Sequence, residues 1–190
     1  MSDRRLFGSK GDRFVLHLGR EERALVTRLL DELRALLLEP AVAEPGSTPL
    51  VSRLFPVVHP DRPDQEAEYQ RLMREELVAS RLAGIAQVEA GLAGRSSNVV
   101  FDEEELVVFM QAVNGIRLVL GTMLDVSDGD DPLDGSDDDA EPAPRSDEHP
   151  TGDSGPDDDA FVAERHLYGY LSWLLDSAVE AISAGGTGEA

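Results

Sequence analysis

Apolar residues recur along the chain in two rhythms. Near the N-terminus Phe14, Leu16 and Leu18 alternate with Val15 and His17, the two-residue period of a half-buried strand. Together with a short first strand from Arg5 to Gly8, this predicts a β-hairpin over residues 4–18. Ser9-Lys10-Gly11-Asp12 supplies its turn, with Gly11 free to take positive φ. Beyond the hairpin the period lengthens to that of a helix. Leu25, Leu29, Leu33 and Leu36, joined by Val26, Leu30 and Leu37, predict a helix over 20–39 that ends at Pro40. Tyr69, Leu72, Met73, Leu77, Leu82, Ile85 and Leu92 predict a second, over about 64–91. A third opens at Asp102, which forms a capping box with Glu105, and buries Leu106, Phe109, Met110, Val113, Ile116, Leu120 and Leu124. The fourth, about 161–183, carries Leu167, Tyr168, Leu171, Leu174, Leu175, Ala178, Val179 and Ile182.

Four amphipathic helices and one hairpin make a mainly α fold, a helical bundle on which the hairpin must pack, because a lone hairpin is marginal in water. Between the first two helices, Pro49-Leu50-Val51-Ser52-Arg53-Leu54-Phe55-Pro56 reads as a short apolar turn that docks on the core.

Charge divides the chain further. It has 190 residues and a formal net charge of −21. From Asp125 to Asp159 there are 15 acids against Arg145 alone, which leaves −7 for the rest. This stretch holds five prolines and almost no large apolar residue, so it has too little to bury to offset its ordering entropy. The domain reading is therefore 1–126 with 160–184 as one helical domain, 127–159 as a disordered acidic insert before the last helix, and 185–190 as a frayed tail. The same acidity disfavours direct nucleic-acid binding, which needs clustered Lys and Arg. Arg20, Arg23, Arg28 and Arg34 of the first helix are interleaved with Glu21, Glu22, Asp31 and Glu32 and form no clean basic face. No run of about 20 apolar residues and no signal-peptide core stand out, so a cytoplasmic protein without a membrane span is expected.

Candidate chemistry is sparse. The chain has no cysteine, which excludes disulfides, thiolate nucleophiles and any thiol switch. His17, His59, His149 and His166 are scattered and make no metal-ligand spacing, so neither a metal nor another cofactor is expected. Gly152-Asp153-Ser154-Gly155 looks like the surroundings of a protease serine but lies in the acidic insert, away from any rigid framework. Asp130, Asp134, Gly135 and Glu141 resemble a calcium loop, yet Pro132 replaces a ligand and Pro142 and Pro144 block the exit helix. Glu103, Glu104 and Glu105 offer paired carboxylates, but at a helix start, where acids suit the dipole. No enzyme is expected.

The most informative run is Asn114-Gly115-Ile116-Arg117-Leu118-Val119-Leu120-Gly121. Asn114, Arg117 and Gly121 suit a plain apolar helix face poorly. Arg117 is expected between helices, hydrogen-bonded to an acid or a carbonyl, and Gly121 at a close helix approach. An Arg117→Ala substitution would then cost about 3 kcal/mol by stranding the buried partner. Met73, Met110 and Met123 read as core.

The run Asn-x-x-Arg-Leu-x-Leu-Gly from Asn114 to Gly121 resembles the signature of an actinobacterial domain-of-unknown-function family that includes AosR-type oxidative-stress regulators. Arg53-Leu54-Phe55-Pro56, Tyr69-x-Arg71-Leu72, Tyr168-x-Tyr170-Leu171-Ser172-Trp173-Leu174 and Arg13-Phe14 with Glu22 and Leu25 carry the resemblance across the chain outside the acidic insert. It marks Arg53, Phe55, Pro56, Asn114, Arg117, Gly121, Tyr170, Leu171 and Trp173 as family-motif residues with a structural role. Where the family often has Asp, this chain has Gly115. The resemblance implies a small cytosolic, non-enzymatic regulator in transcription. The charge, −7 outside the acidic stretch and −14 within it, repels duplex phosphates, so the protein is expected to act in transcription or stress response through protein partners such as a sigma factor or RNA polymerase, as a monomer or homodimer. The alternatives are a direct DNA-binding regulator and an adaptor linked to the ClpS proteolytic system, whose gene often neighbours the family.

Overall fold

The computed structural model describes residues 6–10, 12–39, 50, 53–55, 57–94, 96–124 and 156–185. Seven elements follow in order: β1 (Phe7–Lys10), β2 (Arg13–His17), α1 (Arg20–Leu37), α2 (Pro63–Leu92), β3 (Asn98–Phe101), α3 (Glu103–Met123) and α4 (Pro156–Gly185). Four long helices and the N-terminal hairpin are present as the hydrophobic pattern predicts. The third strand, β3, is an addition.

The hairpin is tight. Its pairing runs from Phe7 opposite Leu16 to Lys10 opposite Arg13. On the far side of β2 the four residues of β3 complete an antiparallel sheet of order β1-β2-β3. Phe14 pairs with Phe101 and Leu16 with Val99, and all four side chains are buried on one face. At that length Asn98-Val99-Val100-Phe101 carries too few alternations to stand out from a helix-capping approach segment. Its strand character comes from its partner, β2.

Helix α3 is the hub. It packs against α1, α2 and α4 and lies over β2 and β3, while α4 also reaches β1. Its N-terminus is capped as the sequence predicts. The Asp102 carboxylate accepts from the Glu105 backbone N–H at 2.8 Å, and the Glu105 carboxylate accepts from the Asp102 N–H at 2.9 Å. One turn on, Phe109 sits fully buried between Phe7 and Phe101, with ring centroids 6.5 and 5.2 Å away. Against the expectation of no such segment, α3 is long and apolar enough by length and composition to cross a membrane. Its apolar residues serve the core instead: Leu106, Phe109, Ala112, Val113, Ile116 and Leu120 are all buried within the bundle.

Several expected core positions prove exposed. Leu72 is 60% exposed, because α2 buries the opposite side, along Gln70, Arg74, Leu77, Arg81, Ile85, Val88 and Leu92. Val179 on α4 and Met123 in the last turn of α3 also face outward, at 50% and 55%. Leu54 and Phe55, by contrast, dock as expected. Helix α4 starts at Pro156, earlier than the expected Phe161, and runs to Gly185. The stretch 125–155, with both look-alike motifs and His149, and the tail 186–190 lie outside the described residues, as do Gly11 and Pro56.

Two of the four arginines of α1, Arg23 and Arg34, are committed to other parts of the fold. Arg23 reaches past the end of α2 and donates to the carbonyls of Leu92 (2.9 Å), Gly94 and Ser96. It thereby closes the α2 C-terminus and fixes the approach to β3. Arg34 pairs with Asp31 and Glu89, and Arg28 with Glu32. Replacing Arg23 by Ala is expected to cost about 2 kcal/mol, the worth of hydrogen bonds from a charged donor. Urea unfolding would show it as a lower midpoint with unchanged slope.

Candidate functional site

The buried side of α2 explains where polar chemistry gathers. Gln70, Arg74 and Arg81 fall in helical register with Ile85, Val88 and Leu92, so they point inward although they are polar. Opposite them lies the turn Arg53–Phe55. The Phe55 ring takes the Arg74 guanidinium at 4.2 Å and that of Arg81 at 5.7 Å from its centroid. Arg81 Nη2 also donates to the Leu54 carbonyl at 2.5 Å. Both contacts favour arginine, whose planar cation stacks on aromatic faces.

Arg74 is only 5% exposed and donates through Nη1 to Gln70 Oε1 at 2.9 Å. Gln70 in turn donates to the Glu66 carboxylate at 2.7 Å, which also accepts the backbone N–H groups of Val58 and His59 at 2.9 and 2.7 Å. A single ladder on α2 thus ties down Phe55 and the Val58–His59 backbone that follows the motif turn. Burial pushes the Arg74 and Arg81 guanidinium groups down from their ordinary values. The Glu66 carboxyl is held below the usual carboxylate range, first by the Gln70 amide and then by the His59 N–H. Its stabilising contribution is therefore present above the ordinary carboxylate pKa and is lost as pH falls through the lowered one. Glu66→Gln is expected to be less stable than the parent at neutral pH and equal to it in acid. Chemical unfolding at a series of pH values checks this by whether the two curves converge.

A second group lies where α3 meets α4. A Cβ on Gly121 would stand 3.0 Å from Tyr168 Cε2 and 3.7 Å from Arg53 Nη1, so glycine is what lets the Tyr168 ring reach α3. Arg117 lies beside the same ring, 5.9 Å from its centroid. It sits between helices as expected, but the expected hydrogen bond to an acid or carbonyl is not made among the described residues, and its Nε is buried without a partner. The aromatic face replaces the anion. With no buried carboxylate to strand, the 3 kcal/mol expected for Arg117→Ala loses its basis.

Asn114 turns to a different neighbour. It lines a cavity of about 320 Å³ between α1, α2 and α3, together with Arg81. Among the remaining motif residues Leu171 is buried in the core, while Tyr170 is half-buried and its ring lies 6.1 Å from that of Trp173. Trp173 itself is 42% exposed on the outer side of α4. Members of three separate motif segments, Arg53, Arg117 with Gly121, and Tyr168, thus meet at α3.

The carboxylates at the start of α3 and the histidine rings lie elsewhere. Asp102 and Glu105 cap α3, with Arg13 at 3.9 and 3.7 Å. His17 bonds Asn98 on the sheet at 2.8 Å, His59 stacks edge-on with Tyr69, and His166 lies on α4. Among the described residues no three His, Asp or Glu side chains come together as a metal site. The sequence reading missed Gln70, Arg74 and Arg81. Their signal was present, since each continues the helical register of Ile85, Val88 and Leu92.

Over residues 3–182 the chain matches the model of a domain of unknown function, DUF2017. The chain belongs to that family. The match takes in all nine motif residues, both sides of the acidic stretch and the Arg74–Phe55–Arg81 stack. No curated protein and no solved structure matches the chain.

Proposed function

We propose that this member of DUF2017 is a non-enzymatic cytosolic regulator that acts through a protein partner in transcription or stress response. The observation that carries the reading is Trp173, a motif residue that leaves nearly half its surface in solvent on a rigid helix. Val162, about three turns earlier, shares its side of α4. Exposed tryptophans of this kind are frequent anchors of protein interfaces. The net charge of −21 suits a partner that surrounds an apolar contact with basic residues. A sigma factor or RNA polymerase fits that description, and the resemblance to AosR-type regulators points the same way.

Direct DNA binding has less support. Arg23, Arg28 and Arg34 are engaged by carbonyls or acids of this chain, which leaves α1 without a free row of cations for phosphates. Capture from cell extract with the full chain tests the proposal, run with and without nuclease and repeated with Trp173→Ala. Recovery of a sigma factor or RNA polymerase that survives nuclease and falls at least tenfold with Trp173→Ala is the expected result. Recovery of DNA fragments alone would establish direct binding in its place, and recovery of Clp components an adaptor role.

A further inference from the structure

The cavity between α1, α2 and α3 is mixed in its chemistry. Leu33, Leu77, Ile85 and Leu118 supply apolar lining, and Ser80, Arg81, Gln111 and Asn114 polar lining. Its volume, about 320 Å³, is at the small end for ligand sites. The polar lining is under-used by the protein. Arg81 makes one hydrogen bond among the described residues, from Nη2 to the Leu54 carbonyl, and its Nε is buried without a partner. Its neighbours three and four positions away on α2 are Leu77, Val78, Gly84 and Ile85, so no acid of its own helix turn neutralises it. The Asn114 side chain makes no hydrogen bond among the described residues, although it lines the same cavity as Arg81.

A partly buried cation with neither a carboxylate partner nor a full set of acceptors is costly unless something supplies the missing charge. We propose that this cavity binds a small aliphatic carboxylate, its head group on Arg81 and its chain along Leu33, Leu77, Ile85 and Leu118. A carboxylate matches the planar fork of a guanidinium better than a spherical anion does. Asn114 supplies an amide donor to the same head group, which gives this motif residue a role that helix packing does not. Arg74, which lies against the same Phe55 ring as Arg81, adds positive potential close by. The net negative charge of the chain hinders entry little, because charges beyond about 8 Å are screened at physiological salt. This site is independent of the Trp173 face, and its test reads binding alone.

Hexanoate titrated into the full chain by calorimetry, with hexan-1-ol as the uncharged control, tests the assignment. Hexanoate is expected to bind at one site and to perturb the amide signals of Ser80, Arg81, Gln111 and Asn114. Arg81→Met should weaken hexanoate at least about tenfold while leaving hexanol unchanged, and Arg81→Lys should restore part of the loss. Should Arg81→Met fail to fold, Asn114→Leu, which keeps the cation but narrows the cavity and removes the amide, is expected to weaken hexanoate similarly. Failure of hexanoate to bind, equal affinity in the parent and the charge-deleted or Asn114→Leu variant, or signal changes elsewhere on the surface would each overturn the proposal.

Discussion

Phe109→Ala is expected to destabilise the protein by about 3–5 kcal/mol, the range for deleting a fully buried aromatic ring. The site cannot collapse to fill the void. Phe7 and Phe101, the rings that flank it, are held in place by sheet pairing, and α3 fixes the backbone at residue 109. A domain of this kind has about 5–15 kcal/mol of stability in all, so the loss is a large share of it. Guanidinium unfolding measures it directly. Phe109→Leu, which keeps much of the volume, should cost less than half as much.

Phe55→Ala is expected to cost a similar amount, about 3–5 kcal/mol, for a different reason. The ring is the surface on which two arginines lie. Without it Arg74 keeps its hydrogen bond to Gln70 and Arg81 its bond to Leu54, but each loses its aromatic face in a poorly hydrated place. Phe55→Leu separates the two contributions. Leucine restores apolar volume but no π face, so a residual loss of about 1–2 kcal/mol measures the cation–π part. Thermal unfolding of the three proteins gives the comparison. If Phe55→Leu were as stable as the parent, the stacking would be geometric coincidence and the turn would be held by packing alone.

The two substitutions probe different parts of one design. Phe109 joins the sheet to the helices through apolar contact. Phe55 joins the motif turn to α2 through buried polar groups, and this is the part that borders the cavity. Substitutions around Phe55 should therefore change ligand binding as well as stability, whereas Phe109→Leu should change stability and leave hexanoate affinity in the folded protein unaltered.

What the sequence determined by itself was whatever depends on local periodicity and local caps. The stripe on α1, the box at Asp102 and Glu105, the hairpin alternation at Phe14, Leu16 and Leu18, and the docking of Leu54 and Phe55 are all local statements, and each is present in the fold. The charge division at Asp125 was equally legible, because it is pure composition. Tertiary structure decided the rest. It made a strand of Asn98–Phe101, since four residues acquire strand character only from the ladder offered by β2. It turned α2 so that Leu72 faces water and Gln70, Arg74 and Arg81 face inward. A leucine-based reading cannot foresee this, because the compensation for burying those polar groups comes from Phe55 and Leu54, distant in sequence. It gave Arg117 a tyrosine ring where an acid or a carbonyl was expected, because Gly121 lets α4 bring Tyr168 close to the cation. And it set Asn114 on the same cavity as Arg81, an encounter between two helices that neither one encodes alone. Periodicity says which side of a helix is buried on average; what a polar residue on that side meets is fixed only when the neighbouring helices are in place.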